Sequence, residues 1–167
     1  MKKILIILFP LLFFSFSACK GTKVPSESNP KTSVQNWNGK NAEPILDTDT
    51  KKNYKTIITE ASRMEPDFNG KYKVAKFGAG TMANGFFIIN LETGIVTEGF
   101  TFELALDYSL DSNIIIRNPE KEVLDFWKDT EELPDWCVTE QYVFEDEKLR
   151  MLESISYEAL YNNARHY

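Results

Sequence analysis

From Lys71 onward the apolar residues fall in short runs broken by turn formers, a rhythm that suits a meandering β architecture and little else. The runs are Tyr72 to Phe77, Gly85 to Asn90, Ile95 to Glu98, Phe100 to Leu106, Asn113 to Arg117, Trp136 to Phe144 and Lys148 to Leu152. Runs this close in sequence pair antiparallel through hairpins. Asn90-Leu91-Glu92-Thr93-Gly94 reads as a tight loop in which Gly94 takes a positive φ. Glu145-Asp146-Glu147 reads as a second, without the glycine that such a turn prefers. In the run from Phe100 the apolar residues are Phe100, Phe102, Leu104 and Leu106, so a strand with one wet face is expected. Phe86-Phe87-Ile88-Ile89 has no polar alternation, which predicts a central strand covered on both sides.

Ahead of these runs, Tyr54, Ile57, Ile58, Ala61 and Met64 lie three, four and seven apart. That spacing predicts one amphipathic helix between Thr50 and Met64, capped by Asp49 or Thr50 and stopped by Pro66. Val123, Leu124 and Trp127 mark a short helix or a turn within Pro119 to Pro134, and Tyr157, Leu160, Tyr161 and Ala164 suggest a terminal helical turn or two. The expected fold class is α+β leaning to all-β: an antiparallel meander of six to seven strands, as a curved sheet or open barrel, with one N-terminal amphipathic helix packed on it.

The start of the chain carries an address. Met1-Lys2-Lys3 is basic, and the run from Ile4 to Phe14 is apolar except for Pro10. As a helix this run rises about 16 Å, roughly half the hydrocarbon thickness, so it reads as a leader and not as a membrane span. Phe16-Ser17-Ala18-Cys19 then resembles the lipobox of bacterial lipoproteins, with Phe16 where leucine is usual. The resemblance implies a signal peptide over residues 1–18 and lipid on Cys19; cleavage after Ala18 without lipid is the alternative. Lys20, Gly21 and Thr22 follow without an inner-membrane retention aspartate, which favours an outer-membrane position facing the periplasm. Residues 19–44 then read as the lipidated cysteine and a flexible tether: Pro25, Pro30 and Pro44 stand among Ser, Thr, Asn and Lys. Such a coil reaches about 25 to 30 Å. Trp37 either docks on the domain or lies in solvent. Residues 45–167 form a single globular β-rich domain.

Charge narrows the partners. Lys and Arg number 19 against 25 Asp and Glu, a net charge of -6. Loss of Lys2 and Lys3 with the leader leaves 17 against 25, or -8. Nucleic acid is therefore not an expected partner.

Catalytic constellations are sparse. The single histidine, His166, lies one residue from the end, so sites needing two imidazoles and histidine-based nucleophilic triads are not expected. With Cys19 lipidated, Cys137 has no cysteine partner and reads as a small buried apolar residue, a reactive thiol being the alternative. The glycines between Gly78 and Gly85 precede a strand where a phosphate loop needs a helix, so they read as a strand connection. Glu131, Glu132 and Asp135, with Trp127 and Trp136 nearby, form the densest carboxylate cluster, a candidate acid and base pair for a glycan. In so acidic a chain, solvated loop carboxylates are the plainer reading.

Phe68-Asn69-Gly70-Lys71-Tyr72, Gly78-Ala79-Gly80-Thr81, Leu91-Glu92-Thr93-Gly94 and the segment from Leu110 to Ile116, in that order, resemble a family of uncharacterised exported proteins. The resemblance covers about residues 60–153. Such proteins carry two cysteines four apart in the glycine-rich segment; Ala79 and Ala83 stand there, so any thiol role is absent. The resemblance implies export and no particular activity, and it leaves Asp111-Ser112 as a possible site or a capping turn.

Together these features lead to three expectations. The first is a lipid-anchored envelope protein acting as a non-enzymatic binding module for a protein or glycan, without cofactor or metal. The second is a glycan or cell-wall hydrolase using a carboxylate pair. The third is an inhibitor or immunity-type protein against a secreted enzyme or toxin.

Overall fold

The computed structural model describes residues 36–80, 83–127 and 138–156. Within them the chain forms a mostly-strand α+β fold with two antiparallel sheets. The first holds β1 (Tyr72–Gly80), β2 (Ala83–Asn90) and β3 (Val96–Glu98). The second holds β4 (Leu106–Tyr108), β5 (Ile114–Arg117), β6 (Val138–Glu145) and β7 (Lys148–Ser156). Spatial order follows chain order in each, so the meander is present, but it is split between two sheets instead of forming one curved sheet or open barrel.

The split falls in the run from Phe100. Phe102 exchanges both backbone hydrogen bonds with Asn84 of β2, each 2.9 Å, whereas Leu106 pairs with Arg117 of β5. Between them the chain changes sheets, so the expected strand over residues 100–106 does not form. Phe102 and Leu106 are nonetheless buried in one cluster, because the two sheets face a shared core. Alternation of this kind arises in a chain turning a sandwich corner as well as in a strand. Gly99 permits the departure: a side chain there would strike the Phe86 ring, on which Phe100 packs edge-on at 4.9 Å between centroids.

β2 is the middle strand of its sheet and is covered on both faces, as its unbroken apolar run predicts. Phe86 and Ile88 join Phe68, Tyr72, Val74, Phe102, Leu106, Ile115 and Phe144 between the sheets. Phe87 and Ile89 face the other way, into a cluster with Ile58, Ala61, Ala75, Leu91 and Val96. Burying each Val, Leu, Ile or Phe side chain among them contributes about 1.5–3 kcal/mol.

The predicted helix is two short ones, α1 (Asp49–Asn53) and α2 (Lys55–Ser62), broken at Tyr54. Thr48, one residue ahead of the expected caps, accepts the Lys51 N–H on its hydroxyl. Ile58 and Ala61 bury the expected stripe, while Met64 lies beyond the helix end and is 54% exposed. The segment after Pro119 contains α3 (Glu120–Trp127), whose Val123 is fully buried and which packs against β6.

Trp37 docks. Its amide donates to the Gly70 carbonyl at 2.7 Å, its indole N–H donates to Asn41 Oδ1, and the ring packs on the α2-side cluster. Asn41 in turn donates to the carbonyls of Ser62 and Met64. The loop after Asn90 is the expected hairpin, with Gly94 at φ 79°; a Cβ there would collide with the Glu43 carbonyl oxygen.

Candidate functional site

The carboxylates Glu131, Glu132 and Asp135 lie outside the described residues, as do Cys19, Cys137, Trp136, His166 and the suggested terminal helical turns. The glycine-rich segment joins β1 to β2, with Gly78 opposite Asn84 and Gly80 opposite Ala83. Asp111-Ser112 forms a turn between β4 and β5: Ser112 Oγ accepts the Ile114 N–H, and the Asp111 carboxylate accepts the Ser109 hydroxyl. Among the described residues no three His, Cys, Asp or Glu converge where a metal ion could sit, and no helix is long and apolar enough to cross a membrane.

Two polar constellations occupy the sheet junctions. At the corner, Arg117 on β5 donates one terminal nitrogen to both Glu103 oxygens at 2.9 Å and the other to Glu140 on β6 at 2.7 Å. Tyr142 donates its hydroxyl to the same Glu140 oxygen. Asn118, fully buried and at φ 47°, accepts the Glu103 and Leu104 amides on Oδ1, donates to Glu103 through Nδ2, and offers its carbonyl to the Thr139 hydroxyl. Burial opposes the Arg117 charge, but Glu140 and Glu103 more than offset it and hold the guanidinium above its ordinary pKa. Burial and the Glu140 hydrogen bond push the Tyr142 phenol up to about 12. This arrangement clasps the corner to β5 and β6. The guanidinium commits its two terminal nitrogens to the two carboxylates it spans, which suits a clasp better than a proton donor. Alongside, a surface hollow of about 420 Å³ is lined by Glu103, Leu104, Glu122, Asp125 and Phe126.

The second constellation forms at the β6–β7 turn. Asp146 and Glu147 sit at φ 49° and 59°, the two-residue turn geometry that glycine and asparagine favour. Glu147 Oε1 accepts Asn90 Nδ2 at 2.7 Å and the Tyr72 hydroxyl at 3.2 Å, and its carbonyl accepts the Thr97 hydroxyl. Its Oε2 is buried without a hydrogen bond from the described residues. Burial, then the nearby Glu147 charge, raises the Tyr72 phenol above its ordinary value. A glutamate held in the left-handed region by tertiary contacts marks a turn shaped from outside its own sequence. The missing glycine was the signal that could have singled it out.

The widest exposed apolar feature among the described strands lies on β7. This strand ends its sheet, and among the described residues no other strand pairs with its outer side. Glu153 stands opposite Gln141 and Met151 opposite Tyr142, so Leu152 is an extra residue, a β-bulge. Met151 and Leu152 are 49% and 48% exposed, side by side at the middle of the strand. The sequence shows the apolar pair but not its exposure, because a regular strand would turn one of the two inward.

Fold and surface thus define a two-sheet α+β protein that presents an edge strand with an apolar bulge. No family model, curated protein or solved structure matches the chain.

Proposed function

We propose that the chain is a lipid-anchored protein of the bacterial cell envelope, held through Cys19.

 The domain serves as a non-enzymatic interaction module, and the observation that carries this reading is β7: a nine-residue edge strand whose bulge sets Met151 and Leu152 in solvent together. Exposed edges accept an extended segment of another protein, whose backbone extends the ladder while apolar pockets select its side chains. The basic start, the apolar run to Phe14 and the Ser17-Ala18-Cys19 segment support the anchor, and the motifs shared with exported proteins support the address.

Crosslinking in native membranes, with a photoreactive side chain placed at Leu152, tests the module. The expected outcome is one discrete adduct with a partner protein that disappears when Met151 and Leu152 are both changed to Asp in a chain that still unfolds cooperatively. Absence of any adduct, or an adduct unaffected by the two substitutions, rejects the edge as the docking surface. Mass spectrometry of the native amino terminus tests the anchor separately: an acylated Cys19 is expected, and a free one rejects it.

A further inference from the structure

The chain contains three Asn-Gly pairs: Asn38-Gly39, Asn69-Gly70 and Asn84-Gly85. In each, the glycine amide nitrogen can attack the preceding side-chain carbonyl carbon, since no Cβ obstructs its approach. The C–N bond to the side-chain amide breaks, ammonia leaves with the proton, and a five-membered succinimide forms. Water then opens that ring at either carbonyl, giving aspartate or isoaspartate. No other reactant is needed, so the surrounding structure decides which pair reacts.

Two of the pairs are held out of reaction. The Gly70 amide donates to the Leu110 carbonyl at 2.7 Å in a turn locked against the β4–β5 connection. Gly85 is buried opposite Phe77 inside the β1–β2 ladder, and Asn84 is fixed by its two backbone bonds to Phe102. Asn38 and Gly39 differ: both are exposed, both lie outside helix and strand, and among the described residues neither takes part in a hydrogen bond. Their position matters structurally, because Gly39 lies under the indole of Trp37, where any Cβ would strike the ring. Trp37 and Asn41 then tie this short segment to Gly70 and to the end of α2.

We infer that Asn38-Gly39 is a self-modification site, where succinimide closure converts Asn38 mainly to isoaspartate and loosens the Trp37 dock. Isoaspartate inserts a methylene into the backbone beside Gly39 and adds a negative charge. The glycine then no longer fits beneath the indole, and the dock at the amino-terminal edge of the domain opens as the molecule ages.

Peptide mapping by mass spectrometry after incubation of the purified full chain at neutral pH tests this directly. The Asn38 peptide is expected to gain the mass that exchange of NH2 for OH brings, with isoaspartate in excess. The Asn69 and Asn84 peptides should convert at least about tenfold more slowly, the factor that a local opening cost of about 1.4 kcal/mol imposes. In urea the three rates should converge. Trp37 fluorescence should shift to longer wavelength as Asn38 converts, and an Asn38→Ser chain should keep its spectrum over the same period. Equal rates at the three pairs in the folded chain, or an unconverted Asn38, overturns the inference.

Discussion

Asn90 donates its side-chain amide to Glu147 Oε1 at 2.7 Å, joining the β2–β3 hairpin of one sheet to the β6–β7 turn of the other. The same asparagine accepts the Glu92 and Thr93 amides on Oδ1, so one side chain shapes its own loop and clamps a distant one. Asn90→Ala should cost about 1–3 kcal/mol, since it leaves buried polar groups unpaired at both loops. Urea unfolding measures this, and a cost within about 0.5 kcal/mol of zero, as at a plain surface site, would show that the clamp contributes nothing.

Asp146 and Glu147 share the same turn geometry but not the same contacts. Asp146→Gly should raise stability slightly, by up to about 1 kcal/mol, because it removes a left-handed strain and severs no hydrogen bond described above. Glu147→Gly relieves similar strain yet loses the bonds to Asn90 and Tyr72, so its net effect should be a loss. Comparing the two denaturation midpoints separates local backbone preference from tertiary clamping.

Arg117 stands between Glu103 and Glu140. Replacing it with Met leaves two partly buried carboxylates facing a vacated centre, and a loss of about 3–5 kcal/mol is expected. If Arg117→Met unfolds at the parent's urea midpoint, the clasp is decorative.

At high pH the tyrosines decide. Burial, with Asp67 beside it, pushes the Tyr108 phenol up to about 12, and burial with the Glu140 bond does the same at Tyr142, against an ordinary value of 10.0. A raised folded-state pKa means that the neutral phenol is favoured in the fold. The associated stability is complete below pH 10 and is lost as pH climbs towards 12. Tyr108→Phe combined with Tyr142→Phe should flatten that decline in circular-dichroism melts, and an unchanged alkaline profile would refute the assignment.

Much of this architecture is legible in the residues. Phe86 to Ile89 announced a doubly covered strand, and Gly94 its hairpin, because each depends on local chemistry alone. The corner at residues 103–105 was hidden, since Phe102 and Leu106 satisfy strand alternation while serving two sheets. Its organiser, Asn118, acts on Glu103 and Leu104, more than a dozen residues away, and periodicity carries no trace of such a bond. The break at Tyr54 was equally hidden: the helical stripe continues across it because Ile57 and Ile58 keep their face. The candidate surface on β7 depends on one inserted residue in a ladder, which only the partner strand reveals.

Because each sheet is built from consecutive strands, the first needs only the Phe102 bridge to Asn84 beyond Glu98 to complete its backbone pairing. Its inner face, however, stays bare until Phe102, Leu106, Ile115 and Phe144 come to cover Phe86 and Ile88. In a chain delivered from its amino end, these apolar side chains therefore wait for their cover until the final hairpin arrives, and that wait sets how long they need shielding from their neighbours.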